Sequence, residues 1–135
     1  MSVDTCKLLS LPRFNDERGS LSFVEAEDHV PFPFERIYYL YDIPGEAKRG
    51  AHAHKNLQQL MIAMSGSFDV VLDDGTQQRQ IHLSSPDQGL YISPMIWRDL
   101  RNFAPGSVCL VVASAKYDEA DYFRNYDEFK GALKK

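Results

Sequence analysis

The chain has 135 residues, and 15 Lys and Arg against 19 Asp and Glu give a formal net charge of −4 at pH 7. With 44% hydrophobic and 25% charged residues, the composition predicts one globular domain over residues 1–135 that needs no disulfide or metal to hold its core. The acidic balance argues against nucleic acid as the main partner. The sequence contains no membrane-length apolar run and no secretory signal pattern, so we expect no membrane partner and a cytoplasmic location.

Short β-branched and aromatic runs dominate residues 19–113 and are separated by turn signals. This pattern is typical of an all-β sandwich or barrel. Eight strands are predicted, at 20–25, 36–41, 51–54, 60–64, 67–72, 78–83, 89–92 and 108–113. Asp73-Asp74-Gly75 predicts a tight hairpin, because Asp and Gly tolerate the positive φ that such turns require.

The last part of the chain changes to a helical pattern. Asp118 can cap a helix, and apolar residues recur at spacings of four, three and four at Tyr122, Tyr126, Phe129 and Leu133. We therefore expect a core of about 18–116 followed by one C-terminal helix at about 118–133. Its aromatic stripe is expected to pack on the sheet or on a partner subunit.

The strongest chemical signal is His52-Ala53-His54, which lies between Arg49 and Lys55. Alternate side chains of a strand point to the same face, so both imidazoles can enter one barrel interior. Neutral imidazole suits proton transfer at carbon and oxygen, because its pKa lies close to neutral pH. The alternative is a solvated polar strand face.

A His-x-His pair is also half of the ligand set of metal-binding cupins, which a nearby Glu and a later His complete. Here Gln59 takes the Glu position, and the later segment offers Asp99 beside the cation Arg98. A neutral amide and a cation are poor metal ligands. We therefore expect neither a metal nor another cofactor, and a metal-dependent oxygenase remains an alternative.

Six motifs occur together along the chain: Arg36-Ile37-Tyr38-Tyr39, the segment 49–55, Ser65-Gly66-Ser67 with Asp73-Asp74-Gly75, Gly89-Leu90-Tyr91-Ile92, Trp97-Arg98, and Tyr117-Asp118-Glu119-Ala120-Asp121-Tyr122. In combination they resemble the sugar-nucleotide 3,4-ketoisomerases, which are small RmlC-like cupins. The resemblance extends over about residues 18–129. It implies an all-β cupin jelly roll with a short C-terminal helix, in a homodimer with exchanged N-terminal strands.

The resemblance also implies a reaction. A metal-independent isomerase without a cofactor would move the ketone of a dTDP-linked 4-keto-6-deoxy sugar, dTDP-4-keto-6-deoxyglucose, from C4 to C3 through an enediolate. Such a step needs a base with a pKa near neutrality and a donor for the oxyanion. The product would supply 3-amino-3,6-dideoxyhexoses for cell-surface glycans such as O-antigens and S-layers.

Catalytic and binding roles follow from the same resemblance. His52 corresponds to the base, His54 to a second proton-handling or oxyanion-stabilising group, and Tyr38 to a hydroxyl acid or orienting group. A diphosphate calls for basic side chains. The predicted substrate-binding residues are Arg18, Arg36, Arg49, Lys55, Gln59, Tyr91, Trp97 and Arg98, of which the two aromatic residues could equally be core.

The configuration of the product at C4 stays open. Arg18 resembles the galacto-forming branch of the family. Trp97-Arg98, however, lacks the histidine that often follows the tryptophan in that branch. The two features conflict, and together they slightly favour the galacto product. Two other functions also remain alternatives: a related sugar-nucleotide epimerase, and a cupin that binds a nucleotide sugar without turnover.

Overall fold

Two five-stranded antiparallel sheets form the body of the computed structural model, which describes residues 2–134. The strands are β1 (Lys7–Ser10), β2 (Arg13–Asp16), β3 (Gly19–Ser22), β4 (Arg36–Leu40), β5 (Arg49–His54), β6 (Gln59–Ser65), β7 (Phe68–Asp73), β8 (Gln78–Leu83), β9 (Gln88–Ile92), β10 (Trp97–Arg101), β11 (Val108–Ala113) and β12 (Tyr122–Phe123). One sheet has the order β1-β9-β6-β11-β4 and the other β12-β5-β10-β7-β8, while β2 and β3 form a separate hairpin. The predicted all-β jelly roll is confirmed.

Strand β6 shows how the core is built, because it is buried on both faces. Met61 and Ala63 face the main core between the two sheets. Leu60 and Ile62 point the other way, into a second apolar cluster that also contains Phe32. This alternation follows from the period-two geometry of a strand, and the loop that carries Phe32 covers the outer face.

All eight predicted strands occur within a few residues of their expected bounds, but the first is shorter and ends at Ser22. Four further strands were not predicted: β1, β2, β10 and β12. Because β1 and β2 precede residue 18, the core begins earlier than expected. Strand β10 is rich in charge, and its pairing with β5 and β7 overrides that weak local strand signal.

The hairpin at Asp73-Asp74-Gly75 is confirmed. It joins β7 to β8, with Asp73 opposite Gln78. The Asp73 side chain accepts a hydrogen bond of 2.7 Å from the Gly75 amide, and Asp74 accepts one of 2.9 Å from the Thr76 amide. Gly75 has φ of 92°, the left-handed conformation that glycine adopts at low cost.

The C-terminal helix α1 comprises Tyr126–Leu133, so its predicted start at about residue 118 was wrong. Asn125 caps α1, whereas Asp118 caps a 3₁₀ turn over Glu119–Asp121. Strand β12 then pairs with β5, and this pairing outweighs the helical spacing of Tyr122. Phe129 of α1 packs on the sheet as expected, with its ring centroid 5.8 Å from that of Trp97.

Within residues 2–134, no helix has the length and apolar character to cross a membrane.

Candidate active site

A cavity of about 460 Å³ is lined by residues from both five-stranded sheets, including β4 and β5. Its apolar walls are Leu40, Met61, Leu100 and Val111, and its polar walls are Arg36, Tyr38, Lys48, Arg49, His52, Arg98, Tyr122 and Arg124. Five of the polar residues are basic, and the lining drawn from the described residues contains no carboxylate. The cavity therefore suits an anionic ligand.

A β-bulge in β5 sets the direction of the first histidine. His52 lies opposite Arg98 and Gly50 opposite Asp99, which leaves Ala51 as the extra residue. Gly50 and Ala51 both have positive φ, of 85° and 54°. A Cβ atom at Gly50 would lie 3.0 Å from the Arg98 carbonyl oxygen, so this close approach favours glycine. Bulges commonly re-aim side chains beside active sites.

The two histidines do share one face, as predicted. Their Nε2 atoms are 3.1 Å apart, and Nδ1 of His52 lies 3.0 Å from the Gly50 carbonyl oxygen. Since a carbonyl only accepts, this Nδ1 carries a hydrogen. His52 lines the cavity, whereas His54 lies behind it with 1% of its surface exposed.

Both imidazoles are neutral at pH 7. Burial lowers the pKa of His52 from 6.5 to about 4, and the positive charge of Arg98 contributes in the same direction. Burial, Arg98 and His52 together lower the pKa of His54 to about 2. A neutral imidazole can accept a proton, but both pKa values lie below the near-neutral pKa expected for the base, because the site buries the rings beside a cation.

A hydrogen-bonded chain holds Tyr38 opposite the histidines. Arg98 donates to the side-chain oxygen of Gln59 and to the Ile96 carbonyl oxygen, and the Gln59 amide donates to the Tyr38 oxygen at 3.0 Å. Because its oxygen accepts that bond, Tyr38 keeps its own hydroxyl hydrogen for another acceptor. Burial raises the pKa of Tyr38 above its ordinary value of 10.0, so the side chain is a phenol at neutral pH.

Gln59, which takes the Glu position of the metal-binding ligand set, contacts Arg98 rather than a carboxylate or a histidine. The Arg98 guanidinium donates to the Gln59 side-chain oxygen, and the Gln59 amide nitrogen donates to Tyr38. Within residues 2–134, no cluster of three or more His, Cys, Asp and Glu side chains has the arrangement of a metal site. The donor chemistry beside the histidines is that of an anion site rather than a cation site.

The segment 117–124, which we call the C-terminal strap, adds two residues that sequence reasoning missed. The Tyr122 ring lies 4.3 Å from the ring centroid of His54 and 5.1 Å from that of His52. Arg124 stacks over Tyr122, with 4.2 Å between its guanidinium carbon and the ring centroid. The signal that could have found them is the i, i+2 spacing of Tyr122 and Arg124, because side chains two residues apart in extended backbone share a face.

The structure brings together seven of the eleven predicted site residues. Tyr38, Arg36, Arg49, His52 and Arg98 line the cavity. His54 and Gln59 form the layer directly behind, through their hydrogen bonds to His52 and Tyr38.

The other four lie outside the cavity of this chain. Arg18 is at the turn of the β2–β3 hairpin, paired with an aspartate at 2.7 Å and 86% exposed. The Lys55 ammonium lies 5.3 Å from an aromatic ring centroid on the strap. The Tyr91 hydroxyl donates to a glutamine side chain at 2.7 Å. Trp97 packs among the aromatic rings of α1.

Comparisons with known proteins show which family the chain belongs to. The family model FdtA, described as WxcM-like, C-terminal, matches residues 4–134. The chain is 43% identical over 129 residues to the TDP-4-oxo-6-deoxy-alpha-D-glucose-3,4-oxoisomerase of Aneurinibacillus thermoaerophilus, covering 96% of this chain and 93% of the relative.

Two solved structures are similar in fold and sequence. The WlaRB TDP-quinovose 3,4-ketoisomerase from Campylobacter jejuni is 50% identical with a TM-score of 0.90, over 93% of this chain and 97% of that chain. A variant of the 3,4-ketoisomerase QdtA from Thermoanaerobacterium thermosaccharolyticum, in complex with TDP-4-keto-6-deoxyglucose, is 36% identical with a TM-score of 0.93, over 96% and 94%. The chain therefore belongs to the FdtA family, a family of cupin fold with TDP-sugar 3,4-ketoisomerases among its members, as the sequence resemblance predicts.

Proposed function

We propose that this protein is a dTDP-4-keto-6-deoxyglucose 3,4-ketoisomerase that works without a metal. The observation that carries the proposal is a neutral histidine pair across a basic cavity from a phenol held in place by Gln59 and Arg98. Relatives that are 36–50% identical are named for this chemistry.

The proposed reaction moves two hydrogens and no other atoms. His52 removes the proton from C3, which the C4 carbonyl acidifies, and the electron pair forms an enediolate across C3 and C4. A proton is then delivered to the carbon atom C4. The C3 hydroxyl loses its proton and the C4 oxygen gains one. Tyr38 donates to the developing oxyanion, and the positive charge of Arg98 stabilises it.

The remaining basic residues suit the nucleotide end. Arg36, Arg49, Lys48 and Arg124 line the same cavity, and a diphosphate requires about two positive charges. Among the predicted binding residues, Arg36 and Arg49 are therefore the candidates for the diphosphate. The binding roles predicted for Arg18, Lys55, Tyr91 and Trp97 receive no support from the cavity of a single chain.

Proton NMR of chelator-treated protein with dTDP-4-keto-6-deoxyglucose in D₂O tests the proposal. The expected result is a 3-keto product with deuterium at C4. Hydrogen exchange at C3 or C5 without migration of the ketone would identify an epimerase, and activity that requires added metal would refute the metal-free route. In H₂O, a large H4–H5 coupling identifies the gluco product and a small one the galacto product.

His52→Asn tests the assignment of the base. The variant should lose turnover by a factor of about 10²–10⁴ and still bind TDP, because the basic side chains are unchanged. Substantial remaining turnover would transfer the base role to another residue. Binding of the nucleotide sugar without turnover by the wild-type protein would favour the non-catalytic binder.

An open sheet edge and an exposed apolar face support a homodimer with exchanged N-terminal strands. Strand β4 is at the edge of its sheet, and Ile37 and Tyr39 on it are 55% and 59% exposed. Among the described strands, β2 and β3 pair only with each other, and all their residues are exposed. An isolated two-stranded hairpin is marginally stable in water, so a partner subunit would stabilise it.

Ile37→Lys tests this dimer. Sedimentation velocity should show a dimer for the wild-type protein and a monomer for the variant, because a charge on a buried apolar interface is costly. Gln80→Lys, on the exposed edge strand β8, is the matched control and should remain dimeric.

We further propose one cupin domain over residues 1–135, a cytoplasmic location and a product used by an aminotransferase for cell-surface glycans. The match of the family model over residues 4–134 supports the domain assignment.

A further inference from the structure

Asp121 on the C-terminal strap faces the buried end of the histidine pair. Its Oδ2 atom lies 3.4 Å from Nδ1 of His54. That nitrogen is buried and has no hydrogen-bond partner within residues 2–134. The same carboxylate accepts hydrogen bonds from the amides of Asn56 at 2.9 Å and Leu57 at 3.2 Å, so its position is set by the loop after β5.

The hydrogens available to the pair can be counted. The Gly50 carbonyl requires a hydrogen on Nδ1 of His52, which leaves one hydrogen for His54 in the neutral pair. If that hydrogen is on Nε2, it satisfies the contact with His52 but leaves a bare Nδ1 against the Asp121 carboxylate. If it is on Nδ1, two bare Nε2 atoms meet at 3.1 Å. Each neutral arrangement thus sets two lone pairs against each other.

One additional proton removes this conflict. His52 can then donate from Nδ1 to Gly50 and from Nε2 to His54, while a hydrogen on Nδ1 of His54 faces the Asp121 carboxylate 3.4 Å away. In this state no two lone pairs face each other. The pair reaches this state when it takes up one proton, as it would from C3 of the sugar.

We propose that Asp121 is a positioning residue that stabilises the histidine pair in its protonated state, after the pair has taken the proton from C3 of the sugar. This inference rests on the ketoisomerase function proposed above. Interactions that are stronger after proton transfer than before it accelerate the step. In serine proteases an aspartate likewise holds a histidine in one tautomer and stabilises its protonated form.

The charges around His54 disfavour its protonation, an effect that a nearby carboxylate would oppose. The cations Arg98, Arg36 and Arg124 and the ring of His52 all disfavour an additional proton on His54, and the Tyr122 ring covers its face. Glu119, on the same strap, favours the protonated form of His52. Among the described carboxylates, Asp121 is the one within 4.0 Å of His54.

Asp121→Asn is the test. A side-chain nitrogen in place of Oδ2 can donate to a bare Nδ1 of His54 but cannot accept from the Leu57 amide, so the variant favours the neutral pair over the protonated one. We expect kcat to fall at least tenfold, with KM and TDP affinity unchanged within about twofold. Asp118→Asn is the matched control, because it removes an equal charge from the strap at a side chain that only caps the 3₁₀ turn. It should retain the wild-type kcat.

Ring ¹⁵N NMR provides a second measurement that needs no substrate. In Asp121→Asn the apparent pKa of the histidine pair should fall by about one unit, because an opposite charge is lost. Unchanged kcat and unchanged pKa would overturn the inference and leave the proposed function standing. A lower thermal midpoint with an unchanged pKa would reduce Asp121 to a structural clamp. If the pKa falls but the wild-type protein has no turnover, the ketoisomerase function is wrong and the control of the pair by Asp121 stands.

Discussion

The buried histidines are expected to make the folded protein sensitive to acid. The pKa of His52 is about 4 in the folded chain against its ordinary 6.5. Between pH 6.5 and pH 4, His52 is therefore mostly protonated in the unfolded chain and mostly neutral in the folded chain. The free energy of unfolding must fall as the pH falls, and the loss is complete once the pH drops below the folded pKa.

The size of this loss follows from the two pKa values. Between pH 7.5 and pH 4.5, proton linkage at His52 alone removes about 2.5 kcal/mol from the free energy of unfolding. Domains of this size are typically stable by about 5–15 kcal/mol, so the loss is a large part of the total. The lowered pKa of His54 acts in the same direction.

His52→Gln tests this linkage, because glutamine does not titrate. Urea unfolding at a series of pH values can be followed through the fluorescence of Trp97, the only tryptophan, which is buried against α1. The variant should lose about 2.5 kcal/mol less than the wild-type protein between pH 7.5 and pH 4.5. Parallel stability curves for the two proteins would refute the reasoning, whatever their absolute difference at neutral pH.

Three further outcomes are expected. Tyr38→Phe should lower kcat about 10²-fold with an unchanged circular dichroism spectrum, and full activity would remove the phenol from the mechanism. Gly89→Ala should destabilise the fold by about 1–3 kcal/mol in urea unfolding, because its Cβ would lie 2.7 Å from Cδ1 of the fully buried Leu60; a neutral effect would show that Leu60 can move. Burial raises the pKa of Cys109 to about 12, so Ellman's reagent at pH 8 should label this thiol only after unfolding, and rapid labelling of the native protein would contradict its burial.

Local patterns were sufficient for much of this protein. The alternation of a strand places His52 and His54 on one face, and Asp73-Asp74-Gly75 forms its hairpin, because in both cases the geometry depends on a few adjacent residues. The combination of short motifs also identified the family. It did so because the residues that surround a substrate lie at recognisable spacings along individual strands.

The tertiary structure decided the features that depend on distant pairing. Tyr122 has helical spacing in the sequence, yet it forms a strand because the edge of β5 is available to it. Arg98 lies in a charged segment that gives a weak strand signal, yet it is fully buried and organises Gln59. Asp121 meets His54 only because the strap folds back across β5. Sequence patterns report near neighbours, whereas each of these contacts joins residues from separate elements whose pairing is determined by the complete fold.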